Sequence, residues 1–419
     1  MTSSSPSILV VGAGVFGLST ALHLAREGNS VTLLDSGEAA SGTTAAGAGF
    51  VGLWAAGYAW FWNESELALE QYGIDLYRSL DADGHDVALR ETGNVWLAVT
   101  EQAVTDHLDE FDRHPLKPAG ARPLSPADAA ALVSGLNPDA VAGGYFHPEG
   151  IQISAPDAGA ALAASAIAAG VTLVPNTRVV RILTTAGKAT GVEAVRGDET
   201  VAISADRVVL ATGSWTNELL KPFGRTLPFA RVIASRITAA PSGVPHIPTL
   251  MFPELDGLWV REHRGGLTYG NGSGYELLET NNSAAVRRPQ RTDLINEMAA
   301  ELTPIINSVL PQVDLSNTEW VQGIVSYTAD RLFFAGEVPE CDGLFVLAGD
   351  NESGVTHGPG LGRLMADLVT APETGRMPGE GWASTVDASR YRLDRFEPQP
   401  FRNELDVAEN MPPRRKVDL

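Results

Sequence analysis

Four stretches of this 419-residue chain put small residues where a phosphate or carbonyl-rich ligand could lie against bare backbone. In the first, Ser7 to Leu22, a β-branched run leads into Gly12-Ala13-Gly14-Val15-Phe16-Gly17 and then into an Ala/Leu-rich segment with helical spacing. Strand, tight turn and helix are predicted. Gly12 permits the turn, Gly14 lets the backbone approach a pyrophosphate, and Gly17 lets the helix pack close to the strand. The phosphates would then rest on amides at the positive end of the helix. Asp35, followed by Ser36, ends a second strand about twenty residues on, where an acid binds a ribose diol. Dinucleotide binding is the chemistry this order predicts.

The second stretch, Ser41-Gly42-Thr43-Thr44-Ala45-Ala46-Gly47-Ala48-Gly49, carries hydroxyls without charge and suits a loop lying flat on a planar ligand. In the third, Ala211-Thr212-Gly213-Ser214-Trp215 ends a buried strand and opens a helix. The last runs Gly349-Asp350-Asn351-Glu352-Ser353-Gly354-Val355-Thr356 into an amphipathic helix, again an anion or carbonyl site. Arg231, Arg236 and Arg261 are cations of the strand-rich stretch from 227 to 324. Alternation puts Trp259, Arg261 and His263 on one strand face. Arg261 and His263, with Tyr269 on the next strand, form the candidate catalytic set, Arg261 as the partner of a substrate anion. Trp54 to Trp62 is aromatic and reads as core, pocket wall or subunit contact.

The length exceeds the usual single-core size, so two domains are expected. One Cys excludes an intramolecular disulfide and fits a reducing compartment. With no leader pattern and no run of about 18 apolar residues, a soluble cytoplasmic protein is expected, without membrane insertion. The net charge of -21 argues against nucleic-acid or anionic-membrane partners. No metal site is expected.

The four motifs, in this order, resemble the D-amino-acid oxidase superfamily of FAD-dependent enzymes, and the glycine oxidase and sarcosine oxidase branch in particular. The resemblance implies an α/β fold, with a Rossmann-like FAD-binding domain interleaved with a substrate domain built on a mixed or antiparallel sheet. Residues 1–87, 140–226 and 325–385 would form the first, 88–139 and 227–324 the second, and 386–419 a C-terminal arm. It implies that Gly12 to Gly17 hold the pyrophosphate, Asp35 the adenosine ribose, and Thr43 and Thr44 the pyrophosphate and flavin. Val179 and Val180 would meet the adenine, and Gly349 to Thr356 the flavin ring. The chain departs from the pattern in several places. Trp320-Val321-Gln322-Gly323 is followed by Ile324, Val325 and Ser326, so the Arg that holds an amino-acid carboxylate in glycine oxidase-like members is absent. Val325 stands where some relatives attach FAD through a Cys, which predicts non-covalent FAD. Thr356 and Thr268 stand where sarcosine oxidases carry lysines.

The expected function is oxidation of the C–N bond of an amine or amino-acid substrate, with hydride transfer to flavin N5, hydrolysis of the imine, and oxygen as acceptor. Two alternatives stand beside it. One is an FAD-dependent dehydrogenase of a 2-hydroxy acid or polyol, with His263 or His357 as base. The other is a non-catalytic flavoprotein subunit.

Overall fold

The computed structural model describes residues 6–52, 63–278 and 288–411, so the aromatic stretch Trp54 to Trp62 lies outside the described residues. A six-stranded sheet runs in the order Phe334–Glu337, Leu344–Ala348, Arg207–Leu210, Ser7–Val11, Ser30–Leu34, Thr172–Val174. Only the Phe334–Glu337 edge is antiparallel. Its central strands are continuous apolar runs because both faces are covered. The helices Val15–Arg26, Ala155–Ala168 and Gly354–Thr374 cover one face, and an antiparallel sheet of Thr177–Thr185, Lys188–Arg196 and Glu199–Ser204 packs on the other.

The second sheet has nine strands: Glu276–Leu277, Phe229–Ala239, Gly266–Gly270, Leu258–His263, Thr249–Phe252, Asn94–Ala98, Gly143–His147 and Arg122–Leu124 in order, with Thr318–Thr328 also paired to Phe229–Ala239. Side chains alternate between its faces. Val95, Ile237, Leu250, Val260 and Tyr269 point toward the helix Thr292–Val309 and form the core there. Trp96, Arg236, Met251, Trp259, Arg261 and Thr268 occupy the other face, with Met251 paired to both Trp96 and Trp259, and Arg261 paired to Thr268.

One boundary differs from the sequence reading. Gly143–His147 pairs with Asn94–Ala98 and Arg122–Leu124, so the segment expected to return to the nucleotide domain at residue 140 first completes a hairpin of the second sheet. Backbone pairing with a remote strand leaves no mark in local composition. The tail also packs, at least to Met411. The Arg395 guanidinium lies 3.7 Å from the Phe334 ring centroid and pairs with Asp330 at 2.8 Å, and Glu404 pairs with Arg231 at 2.7 Å. Among the described residues, no helix is long and apolar enough to cross a membrane.

Candidate functional site

A cavity of about 880 Å³ lies between the glycine turn of the first sheet and the inner face of the second. That volume falls within the range typical of small-molecule and cofactor sites, ~300–1,000 Å³. The sequence-identified stretches converge on it. Gly12, Ala13, Gly14, Val15 and Phe16 line it from the first turn, Asp35 and Ser36 from the second strand end, and Gly42, Thr43, Thr44 and Gly47 from the small-residue loop. Val179, Val180, Ala211, Thr212, Gly213 and Trp215 line it further, with Asp350, Gly354 and Val355 from the last turn.

The three glycines sit in different surroundings. A Cβ at Gly12, where φ is +101°, would lie 2.3 Å from the Ala211 carbonyl oxygen, and one at Gly17 would lie 1.8 Å from the Gly12 carbonyl oxygen. Both positions are closed by backbone. At Gly14 a Cβ would meet only Thr44 Oγ1, at 3.3 Å. Gly14 is also the N-cap of the Val15–Arg26 helix, with no side-chain cap of its own and no acid in the first turn. A helix start whose N-cap residue offers no side chain, facing a cavity, is the arrangement that takes a diphosphate. Asp35 braces this turn: Oδ2 accepts the Ala13 amide at 2.7 Å and Oδ1 the Gly37 amide at 2.8 Å. Thr44 Oγ1 accepts the Val15 amide at 3.0 Å, which ties the small-residue loop to the helix start. These residues fit FAD: amides for the diphosphate, an acid at the strand end for the ribose, and a flat uncharged loop for the ring.

Six expected contacts are supports rather than walls. Gly17 is the helix–strand packing point, and Ser41 Oγ donates to the Glu38 carbonyl at 2.6 Å. Gly349, at φ +80°, makes the turn, while Asn351 accepts the Thr328 amide at 2.9 Å and Ser353 Oγ donates to the Asp350 carbonyl at 3.0 Å. Thr356 is buried against Gly73 of the Glu64–Ala82 helix. Asp350 lines the cavity and is half-buried, and desolvation there pushes its carboxyl up to about 6 despite bonds from the Ser326 amide at 3.1 Å and hydroxyl at 2.9 Å.

The proposed catalytic set needs correction. Tyr269 is 1% exposed and faces the core behind the sheet, paired with Val260, because residue parity sends Thr268 to the cavity side and Tyr269 away from it. Arg261 is on the inner face, but backbone absorbs it: its guanidinium donates to the carbonyls of Ala48 at 2.5 Å, Ile153 at 2.9 Å and Glu262 at 3.0 Å. Burial lowers its pKa to about 9. Arg261 therefore holds the small-residue loop onto the sheet and does not line the cavity. His263 does not line it either. Burial, then Arg261 and Arg236, lower its pKa to about 4. His357 packs on the Phe333 ring at 5.1 Å, and burial lowers it to about 3. Neither imidazole is a base at the site.

The sequence reading left several walls unassigned. Phe50, Met251 and Trp259 make an apolar side, with Phe50 and Trp259 edge to face at 5.4 Å, and Arg236 lines the cavity beside them. Arg178, Glu218, Leu219, Tyr275 and Glu352 complete other parts. Strand alternation could have found Met251 and Arg236 had the cavity-facing parity been known. Val325 is also on the wall, and the buried Cys341 lies in the loop between Phe334–Glu337 and Leu344–Ala348.

Comparison with known proteins agrees with this geometry. Residues 7–368 match the family described as FAD dependent oxidoreductase. A glycine oxidase of Geobacillus kaustophilus is 30% identical, over 88% of this chain and 93% of its own. One of Pseudomonas aeruginosa is 29% identical, over 88% and 96%. The crystal structure of glycine oxidase from Geobacillus kaustophilus superposes with a TM-score of 0.75 at 25% identity, covering 93% of this chain and 99% of that one. The chain thus belongs to the FAD dependent oxidoreductase family.

Proposed function

We propose that this FAD-dependent enzyme oxidises the C–N bond of an amine or amino acid held between the flavin and the inner face of the nine-stranded sheet, and passes the electrons to oxygen. The observation that carries this reading is the continuity of one cavity from the helix start at Gly14 to the sheet wall of Arg236, Met251 and Trp259. Gly12 to Phe16, Asp35 and Thr44 would hold the diphosphate and ribose, and Thr43, Gly47, Val325 and Val355 the ring system. When bound, the flavin supplies a two-electron acceptor for the hydrogen on the carbon next to nitrogen.

The remaining work falls to side chains that position and dehydrate. Phe50, Met251 and Trp259 exclude water from the reacting carbon, and the same desolvation disfavours an ammonium, so the amine is held in its neutral form. A neutral amine needs no general base, which suits a wall that carries no His among the described residues. Oxidation of a 2-hydroxy acid would need one. The likeness to glycine oxidases supports oxygen as acceptor. Non-covalent attachment is supported by Val325 on the wall and by the burial of Cys341 away from it, in the loop between Phe334–Glu337 and Leu344–Ala348.

The test is a screen of glycine, sarcosine, D-amino acids and bulkier secondary amines against the purified holoenzyme, with peroxide and the carbonyl product both measured. Peroxide equal to carbonyl product supports the reading. Carbonyl product without peroxide replaces oxygen by another acceptor, and turnover confined to 2-hydroxy acids overturns amine oxidation.

A further inference from the structure

The three cations of the covering strands have different fates. Arg231 is paired with Glu404 at 2.7 Å, and Arg261 is closed by three carbonyls at 2.5 to 3.0 Å. Arg236 is the one of the three that lines the cavity. Among the described residues it has no carboxylate within ion-pair distance, and its contacts are long and neutral. It donates to the carbonyls of Ala45 and Ala46, each at 3.3 Å, and to the hydroxyls of Thr238 at 3.2 Å and Thr268 at 3.4 Å. An N–H···O bond is usually about 2.9–3.0 Å, so this guanidinium is held in place without being saturated. Burial, and after it the charge of another cation, Arg288, lower its pKa to about 10 and leave it charged at neutral pH. A largely buried cation without a counter-ion is costly, and an entering carboxylate would offset that cost.

We propose that Arg236 binds the carboxylate of the substrate, and that the substrate's other substituent is apolar and lies on Phe50, Met251 and Trp259. The inference rests on the amine-oxidising reading and narrows it: amino acids with an apolar N-substituent or side chain are the substrates, ahead of glycine and ahead of amines without a carboxylate. It also relocates the anion site. The strand Thr318–Thr328 offers only Ile324, Val325 and Ser326 after Gly323, and the cation comes instead from its neighbour Phe229–Ala239.

The test uses the visible spectrum of the oxidised holoenzyme, titrated with benzoate and with its uncharged counterpart benzamide. Wild type should bind benzoate saturably and more tightly than benzamide. Arg236→Gln should weaken benzoate by at least about tenfold while benzamide changes little, and Arg236→Lys should fall between, with FAD content equal in all three. Should the Gln variant not retain FAD, the benzoate-to-benzamide ratio in the Lys variant decides the matter, since a structural role alone would not change that ratio. Equal benzoate affinity in wild type and Arg236→Gln, or an equal loss of both ligands, overturns the proposal. The two readings fail separately. Amines without a carboxylate that reduce the flavin as well as amino acids do, in wild type and variant alike, refute the Arg236 site and leave amine oxidation standing. Benzoate held through Arg236 in an enzyme that no amine reduces refutes the reaction and leaves the site standing.

Discussion

Replacing Gly14 and Gly17 one at a time by Ala separates a residue that makes room for a ligand from one that makes room for the fold. At Gly17 the new methyl would lie 1.8 Å from the Gly12 carbonyl oxygen, where ordinary contact begins at 3.4 Å. The helix must therefore move off the strand end by more than an ångström, an overpacking strain of about 1–3 kcal/mol. At Gly14 the methyl would meet Thr44 Oγ1 at 3.3 Å, a contact relieved by a shift of a few tenths of an ångström, and φ of -76° there suits any residue. Stability should change by no more than about 0.5 kcal/mol, as for other substitutions that strain nothing. The same methyl would stand between the helix-start amides and the FAD diphosphate and lengthen charge-assisted bonds. FAD affinity should fall by at least tenfold, about 1.4 kcal/mol. The assay pairs thermal unfolding of the apoproteins with FAD titration followed by flavin fluorescence. Gly17→Ala should lower the melting temperature, whereas Gly14→Ala should melt with wild type and bind FAD weakly. A Gly14→Ala protein that binds FAD with wild-type affinity would refute the placement of the diphosphate.

Acid should destabilise the fold through buried imidazoles. His23, His147 and His357 are each lowered to about 3 by burial, so the unfolded chain binds more protons than the folded one below about pH 6.5, and stability falls with pH. Asp350, raised to about 6 by burial, acts in the opposite sense as pH drops below that value. His263, lowered to about 4, adds to them, and four groups against one leave a loss of about 4 kcal/mol per pH unit between about pH 6 and 4, at about 1.4 kcal/mol per group. Urea midpoints at pH 7, 6 and 5 check this, and a flat profile contradicts it. The flavin should leave with the supernatant after acid or heat precipitation, because Val325 lines the cavity and Cys341 is 1% exposed in a loop of the other sheet. A yellow pellet would show a covalent bond.

What the sequence revealed best are the positions where backbone geometry dictates residue type. Gly12 and Gly17 are recognisable because a side chain there would strike main chain, and Asp35 because it ends a strand at fixed spacing from them. The cavity wall from the second sheet was less legible. Alternation correctly groups Trp259 with Arg261, but it cannot reveal that the Ala48 and Ile153 carbonyls, 213 and 108 residues away in sequence, will absorb that guanidinium. Tyr269 shows the opposite failure: its neighbour Thr268 belongs to the inner face, and adjacent strand residues cannot both do so. Arg236 was visible as a cation, yet only the pairing of Phe229–Ala239 with Thr318–Thr328 and Gly266–Gly270 brings it to the cavity.

Anaerobic mixing of the oxidised holoenzyme with an N-methyl amino acid that has an apolar side chain tests the central claim most directly, because it removes the acceptor and isolates the first half-reaction. The account predicts full bleaching of the visible flavin absorbance, with one equivalent of carbonyl product per flavin after acid quench and reoxidation by added oxygen. Flavin that stays oxidised with every amine and amino acid tried, yet bleaches with a 2-hydroxy acid, would contradict it.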